Sequence, residues 1–124
     1  MRAVILNTGT ELLLGDVHDA HLAFIAREIF PLGLRIEERR TVPDGEAIRH
    51  ALIDLFSRVE ILFVTGGLGP TTDDITREII ADVVGLEMCQ DQHLMASLSQ
   101  RLAARGRQSL SSLPARPELA MHLL

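Results

Sequence analysis

The residues best placed to do chemistry lie in one run, Thr65-Gly66-Gly67-Leu68-Gly69-Pro70, with the paired carboxylates Asp73 and Asp74 close behind. Glycines at this density permit positive φ and close backbone approach, so that successive N–H groups can point at a phosphate or another anion. A helix starting near Thr71 or Thr72 would add its unsatisfied N-terminal donors and partial positive charge. The expectation is therefore a nest of amides beside Leu68, aided by the dipole of the adjoining helix. The run is neither the dinucleotide fingerprint nor a P-loop, since no Lys comes after the last glycine. The competing reading is a tight strand-to-helix turn that holds nothing.

Asp73 and Asp74 would begin that helix, where acidic side chains complement the dipole and cap free N–H groups. Capping accounts for one of them. Two carboxylates beside a phosphate would repel it unless a cation sits between. Hard divalent ions such as Mg²⁺ bind through one or two carboxylates together with substrate phosphates. Asp74 and Asp73 are thus the candidate metal ligands, with a divalent metal, Mg²⁺, as the candidate cofactor. Asp44, after Pro43, reads as an N-cap or as a ligand contact. Thr10 and Glu11 stand in a second polar loop, Asn7-Thr8-Gly9-Thr10-Glu11, where Glu11 and Asp16 read most simply as a solvated face. His18 and His21 have the i, i+3 spacing of a chelating pair, but histidines near a helix start are more often surface residues. Cys89 has no basic neighbour in sequence and reads as an inert thiol.

Composition narrows the ligand. The chain has 124 residues, enough for one domain with a genuine core, and is 47% hydrophobic. Net charge is −5 and there is no Trp or Tyr. These features argue against nucleic acid, both through backbone neutralisation and through base stacking. A single cysteine excludes an internal disulfide. No apolar run of membrane-spanning length is present, so no membrane is expected and the cytoplasm is the default location.

These loops must be held by something rigid. Ala3-Val4-Ile5-Leu6 and Ile61-Leu62-Phe63-Val64 are unbroken apolar runs, as in buried parallel strands covered on both faces. Leu34 to Glu38 suggests a less apolar strand, nearer an edge. Between them, Leu22, Ile25, Ala26 and Ile29 share a helical face, with Asp19 as cap and Pro31 to Gly33 as stop. A second helix opens at Pro43 and Asp44 with Ile48, Ala51, Leu52 and Leu55 inward. A third carries Ile75, Ile79, Ile80 and Val83 and ends at Gly85. Leu94, Met95, Leu98 and Leu102 indicate a fourth, ending near Gly106. From Gln108 to Leu124 no element is assigned. Alternating strands and helices imply right-handed crossovers and a mostly parallel sheet, hence a three-layer α/β/α Rossmann-like fold. In such a sheet ligands bind at strand carboxyl ends. There, Asn7 to Glu11, Arg40 to Asp44 and Thr65 to Asp74 converge.

Thr65 to Glu78, reading TGGLGPTTDDITRE, resembles the signature of the competence/damage-inducible CinA family in its N-terminal molybdopterin-binding-like (MoaB/Mog, MoCF) domain. Gly9 to Gly15, GTELLLG, and Val42-Pro43-Asp44 match the same family in the same order. The resemblance spans about residues 3 to 106. It implies a single domain over 1–124 without the family's usual C-terminal elements, including a later Gly- and Pro-bearing loop. It also implies a homo-oligomer, often a trimer. By analogy with molybdenum-cofactor proteins, Asp44, Asp74 and the Gly66 to Gly69 turn would line the pocket. The family usually has Asn where this chain has His21.

The same resemblance implies metal-assisted ADP-ribose pyrophosphatase activity, a hydrolysis of a nucleotide diphosphate. On this reading Asp74 and Asp44 are the candidate catalytic residues. Thr10, Glu11, Thr65, Gly66, Gly67, Leu68, Gly69, Pro70 and Asp73 contact the phosphorylated ligand. A module that holds a nucleotide or molybdopterin without turnover is the first alternative. An inactive truncated relative, whose apolar tail serves oligomer contacts, is the second.

Overall fold

A computed structural model describes residues 1–16, 18–69, 71–104 and 121–123. Its framework is β1 (Ala3–Thr8), buried along its whole length and flanked by β2 (Ile36–Val42) and β3 (Ile61–Thr65), both parallel to it. A strand shielded from water on both faces must be apolar until its last residues, which is how β1 reads. The order is β2-β1-β3. The chain leaves β1 for one neighbour and later returns to the other, and this reversal opens a crevice at the carboxyl end of β1.

Alternation along β1 divides its side chains between two layers. Val4 and Leu6 join Ile48, Ala51, Leu52 and Leu55 of α3 (Glu46–Phe56) and Ile79 of α4 (Thr76–Val84) in one cluster of buried residues. Ile48, Leu52 and Leu55 have no exposed surface. Each contributes roughly 1.5–3 kcal/mol through burial. On the other side, α2 (His21–Ile29) and a 3₁₀ turn at Phe30–Leu32 flank β2. The α/β architecture and its helical faces are thus as expected, including the inward residues of α3 and the left-handed Gly85 closing α4.

Several boundaries differ. β2 begins two residues later than Leu34 and continues to Val42, so Arg40 to Val42 belong to the strand rather than to the loop after it. Its in-and-out alternation of charges suits an edge. The segment after β1 contains a short helix, α1 (Thr10–Leu14), where a loop was expected. α4 starts at Thr76, not at Thr71 or Thr72, and Asp73 and Asp74 precede it. After Gly85 come β4 (Met88–Gln90), α5 (Gln92–Ala104) and β5 (Met121–Leu123). β4 and β5 pair antiparallel in a separate sheet, an element that the tail's composition did not suggest. Gly106 and the Ser- and Pro-bearing stretch after it lie outside the described residues.

Candidate functional site

The crevice is built around Thr8, the last residue of β1, whose side chain is buried and shares a hydrogen bond of 3.2 Å with the Thr76 hydroxyl. The turn after β3 presses directly on this pair. A methyl group at Gly66 would run into the Thr8 carbonyl oxygen, and one at Gly67 would run into the Thr76 hydroxyl. Both glycines also have positive φ, 92° and 61°. Their first requirement is therefore steric: only glycine lets this turn close on β1.

Hydrogen bonds between Gly67 and Thr76 account for the late start of α4. The Asp74 N–H donates to the Thr71 carbonyl at 3.1 Å, and the Thr76 N–H donates to the Gly67 carbonyl at 3.3 Å. The Thr71 N–H donates to Asp74 Oδ2 at 2.9 Å, and the Thr71 hydroxyl donates to the same oxygen. Side chains that bond to nearby backbone in this way hold a turn in place of a helix. The Thr71 hydroxyl, the amides of Thr71 and Gly69 and the charge of Arg77 hold the Asp74 carboxyl below the usual aspartate range, against the opposing effect of burial.

The expectation of an open amide nest beside Leu68 is corrected here. The Gly69 and Thr71 amides do bond an anionic group, but that group is the Asp74 carboxylate. The turn supplies its own anion. Nor do Asp73 and Asp74 sit in the first turn of the helix.

Asp44 plays a matching part across the crevice. Its Oδ2 accepts the Thr10 N–H at 3.1 Å and the Thr10 hydroxyl at 3.2 Å, and its own N–H donates to Thr10 Oγ1 at 3.4 Å. This exchange ties the β2–α3 loop to the start of α1. Together the loops enclose a polar cleft of about 230 Å³, lined by Thr8, Gly9, Glu11, Asp44, Gly67, Thr71, Asp73 and Asp74. Four carboxylates, those of Glu11, Asp44, Asp73 and Asp74, are among its lining side chains. Among the described residues, no group of three or more His, Cys, Asp or Glu side chains is positioned to hold a metal ion.

Of the residues singled out from sequence, Glu11, Asp44, Gly67, Asp73 and Asp74 line this cleft. Thr10 stands behind it as the partner of Asp44. Gly66 and Gly69 support its wall, and Leu68 is half exposed beside it. Thr65 Oγ1 accepts from Asn7 Nδ2 at 2.9 Å, away from the cleft lining. Pro70 lies outside the described residues. Cys89, half buried, sits on β4.

Sequence reasoning missed Thr8 and a second polar network. Asn7 is wholly buried, and its Nδ2 donates to Thr65 Oγ1 and, at 3.0 Å, to Asp19 Oδ2. The Asp19 side chain is only 3% exposed. It also accepts the His21 N–H at 2.9 Å and faces Arg39 Nε at 3.8 Å, but the N-cap of α2 is Ala20, one residue after Asp19, and not Asp19 as expected. His21 Nδ1 lies 3.3 Å from Asp19 Oδ1. The available signal was Asn7 itself, an amide ending an apolar strand, which had to find partners inside the protein.

A parallel sheet whose strand order reverses beside a small acidic cleft lined by Thr and Gly defines an α/β domain of the Rossmann-like kind. The chain belongs to the family of probable molybdopterin binding domains, whose profile matches residues 4–124. Among curated relatives it is 41% identical over 106 residues to a CinA-like protein of Akkermansia muciniphila, covering 86% of this chain and 26% of that one. It is 48% identical over 89 residues to a CinA-like protein of Geobacter sp., covering 71% and 22%. The chain therefore spans about a quarter of the length of these relatives. Among solved structures, CinA from Thermoplasma acidophilum superposes with a TM-score of 0.76 at 24% identity, over 98% of this chain and 70% of that one. A molybdopterin biosynthesis Mog protein from Mycobacterium ulcerans gives 0.60 at 22% identity, over 84% and 67%. These two likenesses concern the fold. No helix among the described residues is long and apolar enough to cross a membrane.

Proposed function

We propose that this chain is a CinA-type domain that binds a phosphorylated small molecule at the carboxyl end of β1 and takes part in divalent-metal-assisted hydrolysis of a nucleotide diphosphate, ADP-ribose being the leading candidate. The observation that carries this reading is the meeting of Glu11, Asp44, Asp73 and Asp74 in one cleft at the point where strand order reverses. An anionic ligand would be repelled there by unscreened carboxylates. With the Gly69 and Thr71 amides committed to Asp74, a cation is the natural bridge between protein and phosphate.

The donor set suits Mg²⁺, since every side chain on the cleft offers a hard oxygen. Asp73 and Asp74 would hold the ion, with Asp44 opposite, and phosphate oxygens would complete its shell. An ion that takes part of its shell from substrate does not need three protein ligands preassembled. When bound, the ion would neutralise phosphate charge and lower the pKa of a water. The protein's own contribution is positional. The Thr71 hydroxyl and the Thr71 and Gly69 amides keep Asp74 ionised and fixed. Thr10 fixes Asp44, and the Thr8–Thr76 pair sets the floor of the cleft.

A second reading, a module holding a nucleotide or molybdopterin without turnover, is favoured by one observation. Asp44 ties one loop to another through Thr10 and Asp74 closes its own turn through Thr71, roles that a purely structural pocket also needs. ADP-ribose hydrolysis with and without Mg²⁺, repeated on Asp74→Ala, separates the two. Metal-dependent turnover that the variant loses supports the enzyme. Calorimetric binding of nucleotide or pterin phosphate with no turnover supports the module and sinks the enzyme. The cytoplasm and a homo-oligomer, trimeric as the family resemblance implies, complete the proposal, and sedimentation tests the second.

A further inference from the structure

Asn7 and Thr8 are consecutive on β1, so their side chains leave opposite faces of the sheet. Thr8 lines the acidic cleft, whereas Asn7 turns to Asp19, just ahead of α2. On the Asn7 side two hollows share one residue. A groove of about 400 Å³ runs between α2 and β2, walled by Leu22, Ala26, Phe30 and Leu34. A polar pocket of about 430 Å³ adjoins it, lined by Leu12, Gly15, His18 and Asp19. Arg39 of β2 lines both.

Arg39 is not fully engaged by the protein. Its Nε lies 3.8 Å from Asp19 Oδ2, beyond hydrogen-bond distance. Asp19 already has closer donors, Asn7 Nδ2 at 3.0 Å on that oxygen and the His21 N–H at 2.9 Å on the other. A guanidinium that turns its Nε to one carboxylate directs its two terminal nitrogens elsewhere. Among the described residues those nitrogens meet no acceptor, and the side chain is 43% exposed. Their planar fork matches a carboxylate or a phosphate in two parallel hydrogen bonds. The carboxylates of the groove do not stand in the way of an anion. Glu38 is held by Arg40 at 2.9 Å and Arg58 at 3.2 Å, and Glu37 is exposed to water, which weakens its field.

The groove suits the other half of a ligand. Phe30 is 61% exposed, so this apolar wall is open to an occupant. A concavity that is mostly apolar, with a few polar groups converging on it, is the usual form of a small-molecule site. A wholly apolar occupant would cover Arg39 without giving it an acceptor. A bare anion would leave the groove walls wet. We propose that groove and pocket together bind a small amphiphilic acid, with an aliphatic body between α2 and β2 and one anionic head, carboxylate or phosphate, on the Arg39 fork beside His18. This site lies across β1 from the cleft and does not depend on the function proposed for it.

Calorimetric titration of the whole chain tests this, with eight-carbon probes kept below their micellar concentrations. Octanoate or octyl phosphate should bind saturably, and the tighter of the two identifies the head. Octanol lacks the charge, and acetate and inorganic phosphate lack the body; each should bind at least about tenfold more weakly. Arg39→Gln should weaken the better acid about tenfold and leave octanol unchanged. Phe30→Ala should weaken the acid and octanol alike. Since Arg39 faces Asp19, thermal melting of its variant separates a lost head contact from a lost fold. If Arg39→Gln unfolds, the probe series on wild type and on Phe30→Ala decides. No saturable binding of either acid, octanol binding as tightly as the acids, or acetate and phosphate matching their eight-carbon counterparts would each overturn the proposal. So would a folded Arg39→Gln variant that binds the acid as wild type does.

Discussion

Between the sheet and the α3–α4 layer, Val4 and Leu6 of β1 meet Ile48, Leu52, Leu55 and Ile79 with no polar side chain in the cluster. Two residues beyond Leu6, Thr8 meets Thr76, and the space past it is walled by carboxylates. One strand thus runs from a dry layer, held by non-directional burial, to a cleft held by hydrogen bonds of fixed geometry. In the first region stability depends on volume and tolerates a change of shape. In the second it depends on particular atoms: one oxygen of Asp74 takes two donors from Thr71, and one oxygen of Asp44 takes two from Thr10. The contrast predicts that core substitutions will move stability most, and that cleft substitutions will move ligand binding more than stability.

The largest effect should come from Leu52→Ala, which empties a wholly buried position. A loss of about 2–5 kcal/mol is expected in denaturant unfolding. A loss under about 1 kcal/mol would mean that the layer is loosely packed and collapses to fill the gap. Gly66→Ala should come next, although it removes nothing. It forces a side chain onto the Thr8 carbonyl at a φ of 92°. Incompatible positive-φ substitutions cost more than about 1 kcal/mol. Because the turn would have to lift from β1, nucleotide binding should fall more steeply than the melting temperature. Equal loss of both would assign the glycine to packing alone.

Asp74→Asn sharpens the comparison further. The neutral amide keeps the size but loses the charge that Thr71 and Gly69 stabilise. At neutral pH roughly 1 kcal/mol should be lost, a charge-assisted bond discounted for partial exposure. The pH dependence has a definite sign. The folded Asp74 carboxyl titrates below its ordinary range, so its contribution is complete above that range, near pH 4, and disappears as pH falls through the lower folded value. The difference in stability between wild type and variant should therefore shrink on acidification. A gap that stays constant down to strong acid would show that the charge was never the stabilising feature.

The sequence displayed the dry region better than the wet one, for a physical reason. Helix faces repeat with a period set by the backbone, so Ile48, Ala51, Leu52 and Leu55 announce their burial without reference to any other element. The converging loops were also legible, since Gly and Asp clusters at strand ends have few other uses. What an individual acid does there was not legible. Asp74 in sequence looks like a helix cap or a ligand; only the turn geometry makes it the acceptor for its own loop. Thr8 and Asn7 lay hidden because their partners, Thr76 and Asp19, are 68 and 12 residues away. The extent of β2 was misjudged because Arg39, Arg40 and Thr41 look like loop, whereas charges alternating along an edge strand are compatible with pairing on one side only. β4 and β5 were missed because each is three residues long and the two are far apart in sequence.

The smallest effect expected is at Asp82, and it tests the comparison from the opposite side. Arg49 of α3 reaches Asp82 of α4 in a salt bridge, which at first sight clamps together the two helices of the dry layer. The hydrogen bond to Asp82 raises the already high pKa of Arg49, against the opposing effect of desolvation. Yet the Asp82 side chain is 66% exposed. An ion pair open to water gains little over its separately hydrated partners and is further screened by salt. If burial of Ile48, Leu52, Leu55 and Ile79 is what joins α3 to α4, Asp82→Ala should cost no more than about 0.5 kcal/mol, and less at high salt. A loss approaching that of Leu52→Ala, measured in the same unfolding experiment, would mean that the layer depends on directional contacts as the cleft does. The distinction between the two ends of β1 would then not hold.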